Sequence, residues 1–145
     1  MPDAKTLEDF PVGLKRTVEA VIAPETVEAF VRLSGDDNPL HLDPKVAQAA
    51  GFRAPVVHGC LTLAFVSKLI GTALPGPGAL WRSLQVDWVK PVFAGDRLIL
   101  TGEVEQRSES AQSILIRIDG RNQIGTVVLR ARATVGLPSL AGAEK

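Results

Sequence analysis

Cysteine is almost absent: Cys60 is the single one in 145 residues. That excludes an internal disulfide framework and leaves a cysteine-rich zinc site without ligands. A reducing, cytoplasmic setting is the expectation. An excess of one charge is lacking too, since sixteen Lys and Arg meet sixteen Asp and Glu. No broad cationic field is available to hold a phosphate backbone or an anionic membrane, so nucleic acid and membrane are not expected as partners. The opening MPDAKTLEDF has neither a basic n-region nor an apolar h-region, and export is not expected. The most apolar stretch, Cys60 to Leu74, is broken by Lys68 and small polar residues, which argues against a membrane span. Repeats and low-complexity segments are missing as well.

What is present suits one globular domain over 1–145. Hydrophobic content is 46% and charged content 22%, ordinary values for a chain that buries roughly two-thirds of its unfolded surface. The core is expected over about 10–136, with 137–145 as a short loose tail.

Helical patterns dominate the first half and strand patterns the second, which suggests an α+β fold. Arg16 to Ile22 alternates as a first strand. Pro24 opens a helix carrying Val27, Phe30, Val31 and Ser34, and Gly35 stops it. Asp36 to Pro39 is turn chemistry. Asp43 and Pro44 then cap a helix of about two turns that ends at Gly51. From Gly59 to Leu74 apolar residues lie too widely around the helical wheel for a surface helix, so this helix is expected to be buried at the centre. Four further strands are expected over 80–89, 97–106, 110–119 and 126–135, giving an antiparallel sheet around that helix.

With two histidines in the chain, imidazole chemistry near neutral pH must use His41 or His58. Asp36 and His41 share a proline-containing loop, and a turn at Asn38-Pro39 would bring both onto one water. The alternative is a loop in which Asp36 or Asp37 caps a chain end and His41 is merely exposed. His58 and Gly59 open the apolar helix, where free N–H groups favour a developing negative charge; equally, Gly59 permits close packing and His58 satisfies a local bond. Ser67 either points into a site or bonds back to its own helix. Cys60 reads better as a small buried hydrophobe than as a nucleophile. Asp36, Asp37, Asn38, His41 and Asp43 gather metal-compatible ligand types without calcium-loop spacing, and no metal is expected.

The segment SGDDNPLHLDP at 34–44, RAPVVHG at 53–59, and then LPGPG and SLQVDWVKPVFAGDRL together resemble the MaoC-like, R-specific enoyl-CoA hydratase family. The resemblance covers roughly residues 10 to 135. It implies a hotdog fold, with about five antiparallel strands wrapped around a long central helix. It also implies reversible syn addition of water to a trans-2-enoyl thioester, giving the R-3-hydroxyacyl thioester without a cofactor. By matched position it makes Asp36 and His41 the catalytic dyad, Gly59 the backbone donor to the thioester oxygen, and Ser67 a supporting polar residue. Asn38 and Pro39 match the family's loop-forming pair and are read as positioning residues; beside the resemblance, His58 is expected to help in positioning and Ile70 is a candidate for the acyl pocket. The expected partners are an enoyl thioester of CoA or of an acyl carrier protein, and a second copy of the chain in a homodimer. Read on their own, Arg53, Arg82 and Lys90 either meet the phosphates of the carrier or are solvated surface charges. A hotdog thioesterase and a non-catalytic acyl-thioester binding module stand as the alternatives, because the fold alone does not decide the chemistry.

Overall fold

A computed structural model describes residues 5–137. Five strands form one antiparallel sheet in the order β1-β3-β4-β5-β2: β1 (Lys15–Val21), β2 (Leu80–Trp88), β3 (Arg97–Ser108), β4 (Ser113–Arg121) and β5 (Val127–Gly136). The period-two pattern explains why one face is dry. Leu98, Leu100 and Val104 of β3, Ile114, Ile116 and Ile118 of β4, and Leu129, Ala133 and Val135 of β5 all point to the core. Between them stand the charged residues of the wet face, where Arg117 meets Glu103 at 2.7 Å and Arg132 meets Glu105 at 2.9 Å. These exposed pairs contribute little stability, but they mark which face is open to water.

Three helices lie in the chain between β1 and the other four strands. Helix α1 (Pro24–Ser34) begins at a proline and ends at Gly35, whose φ of +74° is the left-handed stop expected of glycine. Helix α2 (Pro44–Ala49) is capped by Asp43, whose carboxylate accepts the Lys45 N–H at 2.8 Å. Helix α3 (Gly59–Lys68) lies across the sheet and runs on into a π-helical turn at Leu69–Ala73. Leu61, Val66, Leu69 and Ile70 form its sheet-facing side and are buried. This is the hotdog arrangement, a sheet wrapped on one helix.

Helix α3 is not surrounded as its composition suggested. Cys60, Ala64, Ser67 and Gly71 are exposed, because one sheet covers only one side of a helix. Cys60 is therefore no buried hydrophobe. The core also reaches further than 10–136: Leu7 and Leu137 are each 6% exposed and belong to it. The expected tail therefore begins no earlier than 138, and residues 138–145 lie outside the described residues. No helix among the described residues is long and apolar enough to cross a membrane.

Where α3 hands over to its π turn, Leu69 and Leu74 pack closely over Gly102 of β3. A Cβ there would stand 3.1 Å from Leu69 Cδ2, 3.1 Å from Ile116 Cγ2 and 3.3 Å from Leu74 Cδ2. Gly102→Val should therefore overpack this crossing and destabilise the protein by about 1–3 kcal/mol, read from thermal or urea unfolding.

Candidate active site

The loop after α1 is held by a relay of short polar side chains. Ser34 Oγ accepts the Asp36 N–H at 3.1 Å, Asp36 Oδ1 accepts the Asn38 N–H at 3.2 Å, and Asn38 Oδ1 accepts the Leu40 N–H at 3.0 Å. Each bond spans two residues, the local geometry that Ser, Asp and Asn impose on turns. Pro39 then starts a single 3₁₀ turn, Pro39–His41, with Asn38 as its cap. The turn shortens an otherwise extended path and brings His41 back beside Asp36.

Two backbone carbonyls orient the histidines. His41 Nδ1 lies 2.6 Å from the Val56 carbonyl oxygen, and His58 Nε2 lies 3.0 Å from the Asp36 carbonyl oxygen. A carbonyl only accepts, so both of these nitrogens carry hydrogen. In the neutral ring His41 Nε2 therefore keeps its lone pair. The rings stack with centroids 3.9 Å apart, and Phe30 packs on His58 at 4.8 Å. His58 is 1% exposed, and its Nδ1 has no hydrogen-bond partner. Among the described residues, Asp36, His41 and His58 each bring one ligand-type atom within 4.8 Å of the others. A cation shared by them would use the carboxylate and the two nitrogens not bound to carbonyls. A water in the same place would meet an acceptor carboxylate and a basic nitrogen.

His58 is also the residue before α3, and it supplies no side-chain cap. The N–H groups of the first helical turn have no partner within a helix, and they carry the positive end of its dipole. Gly59 is the first of them. A cavity of about 410 Å³ opens there, with His41, Gly59, Thr62, Trp88, Phe52 and Lys90 in its wall. A second cavity, of about 230 Å³, is lined by His41 too, together with Val27, Leu42, Arg53 and Phe93. His41 thus lines both. The Arg53 guanidinium lies 3.9 Å from the Phe93 ring centroid, a cation–π contact that fixes its side chain.

The loop and the start of α3 bring together Asp36, Asn38, Pro39, His41, His58 and Gly59. Ser67 is left out: it lies on the exposed face of α3, eight residues and about 12 Å along the helix from Gly59. Ile70 is 2% exposed within the core against the sheet, and it lines neither cavity beside His41. Of the three basic candidates, Lys90 and Arg53 reach the cavities, whereas Arg82 bonds the Ala111 carbonyl at 3.0 Å. Sequence reasoning missed Trp88, Thr62 and Phe52, and it missed the Val56 carbonyl. Alternation along β2 gave the one available signal for Trp88, which shares a face with Leu84 and Val86. The Val56 carbonyl leaves no mark in a side-chain pattern.

A small sheet on one helix, with a carboxylate and an imidazole at the helix N-terminus, defines a hotdog domain with an acid–base site. The model of the MaoC like domain matches residues 9–121, and the chain belongs to that family. It is 35% identical over 135 residues to the (R)-specific enoyl-CoA hydratase of Aeromonas caviae, covering 93% of this chain and 98% of that one. It is 31% identical over 132 residues to the enzyme of the same name from Rhodospirillum rubrum, covering 91% of each. Among solved structures, the R-hydratase of Aeromonas caviae superposes with a TM-score of 0.84 at 34% identity, covering 90% of this chain and 99% of that one. An unliganded R-hydratase from Pseudomonas aeruginosa also gives 0.84, at 29% identity, covering 97% and 94%.

Because the Asn38 side chain holds the turn that carries His41, Asn38→Ala should cost about 0.5–2 kcal/mol of stability. Urea unfolding measures it; an unchanged midpoint would mean that the loop needs no cap.

Proposed function

We propose that the protein is an (R)-specific enoyl-CoA hydratase, a hydro-lyase that interconverts trans-2-enoyl-CoA and (R)-3-hydroxyacyl-CoA. The observation that carries this reading is the placement of the Asp36 carboxylate and the free Nε2 of His41 beside an uncapped helix start. Water needs an acceptor to orient it and a base to take its proton, and attack at the β carbon drives charge onto the thioester oxygen. In this reading Asp36 holds the water and His41 Nε2 takes its proton as oxygen bonds to the β carbon. The Gly59 N–H meets the developing enolate oxygen. His41 then returns the proton to the α carbon. Delivery of oxygen and proton from one group on one face makes the addition syn. The bond from His41 Nδ1 to the Val56 carbonyl supports His41 as the base, because it holds the other nitrogen in the basic form.

Each step moves a proton or an electron pair within the substrate, water and these side chains, so the reaction proceeds without a redox cofactor or a metal. Ser67, exposed within one chain, is assigned no contact with the dyad of its own chain. Lys90 and Arg53, each lining one of the two cavities, suit the phosphates of CoA or of an acyl-carrier thioester. The cytoplasmic setting expected from cysteine usage belongs to the same proposal.

A homodimer completes the reading. The open face of α3 lacks charge apart from Lys68, and the edge strand β2 exposes Leu80 at its start, with exposed Val89 just beyond its end. A sheet edge of this kind is normally covered.

His41→Ala should lower the rate of crotonyl-CoA hydration by about 10²–10⁴ while leaving thermal unfolding intact. Loss of enoyl-thioester absorbance, with the chirality of the product assigned, measures it; an active His41→Ala protein overturns the mechanism. Light scattering should return at least twice the chain's 15.4 kDa, and a monomer would refute the dimer.

A further inference from the structure

Trp88 is 47% exposed, so core packing does not account for it. Its ring is nonetheless fixed. The indole Nε1–H donates to Thr62 Oγ1 at 3.0 Å, and the Thr62 hydroxyl donates to the Gly59 carbonyl at 2.5 Å. Thr62 itself is 1% exposed, so the indole is anchored on a buried hydroxyl that is itself tied to the first carbonyl of the helix. The ring lies directly on the helix start: a Cβ at Gly59 would stand 2.8 Å from Trp88 Cε2 and 3.0 Å from Cζ2. Position 59 is therefore glycine for a second reason besides exposing an N–H. Its missing side chain makes room for an indole.

The same ring forms part of the wall of the 410 Å³ cavity that holds His41. An aromatic plane fixed beside a hydrogen-bond donor is a surface for a flat group. The enoyl thioester is flat across its conjugated carbon–carbon double bond and carbonyl, whereas the hydrated product is tetrahedral at the β carbon. We infer that Trp88 is a substrate-positioning residue. Its indole is the wall against which the conjugated thioester lies while the thioester oxygen faces the Gly59 N–H, and it keeps water from that donor. This inference rests on the hydratase reading above.

The test combines kinetics with a spectroscopic signature that a purely structural role would not produce. In hydration of crotonyl-CoA, Trp88→Phe keeps a flat wall and should stay within about threefold of wild type. Trp88→Ala should lose about 10- to 100-fold, chiefly in kcat, as expected when a reacting group is misplaced by about 1 Å. Trp81, whose indole donates to the Ser83 carbonyl at 2.9 Å, lies outside both cavities. In a Trp81→Phe protein Trp88 is the sole indole. Titration with butyryl-CoA, the saturated thioester that cannot be hydrated, should change its fluorescence saturably. This second measurement leaves Trp88 in place, so it stands even if Trp88→Ala fails to fold. Unchanged fluorescence while calorimetry records butyryl-CoA binding, or a folded Trp88→Ala protein with full kcat, overturns the inference. A wild-type protein that hydrates no enoyl-CoA fails the hydratase reading instead.

Discussion

The bond from His58 to the Asp36 carbonyl, with the stacking of His58 on His41, ties an exposed loop to the first turn of the central helix. Asp36, Asp37 and Asn38 are all exposed, and the side chains of Asp36 and Asn38 bond only within the loop. A loop so placed would sample many geometries, and its carboxylate and imidazole would meet only part of the time. His58, held between Phe30 and His41 and nearly inaccessible to water, removes that freedom. The spacing of the dyad from the Gly59 N–H is then set by the packing of α1, α3 and the sheet rather than by the loop itself.

This division explains what could be read from the chain. Periodicity and punctuation reveal the elements: Pro24 and Gly35 bound α1, Asp43 caps α2, and the strands fall within a few residues of their alternating patterns. Asp36, His41 and Gly59 stand out because their residue types and the family's motif coincide. The central position of α3 is legible in its hydropathy, but which side is covered is not, because hydropathy reports what a helix would prefer to cover and the sheet takes only one side. Ser67 carried the same ambiguity, since a polar residue on a helix shows neither its direction nor its neighbours. Trp88 and the Val56 carbonyl escaped for a different reason. Their roles depend on which strand end and which loop meet the start of α3, and that pairing is long-range.

The fold and the chemistry rest on different parts of the molecule. Sheet and helix would survive many exchanges among apolar residues of similar volume. The site depends on two carbonyl acceptors, one glycine and two imidazoles, each fixed by geometry. Function on this scaffold is therefore sensitive to small displacements that the fold itself would tolerate.

Helix α3 begins without a side-chain cap, although α2, a few residues earlier, has one in Asp43. Position 58 holds the residue that orients the site in place of a serine or aspartate that would close the first turn. The fold thereby forgoes roughly 1 kcal/mol, the usual worth of such a cap. In the proposed reading, heat resistance and turnover compete for this one position. Selection for melting temperature alone would drift toward a capped helix.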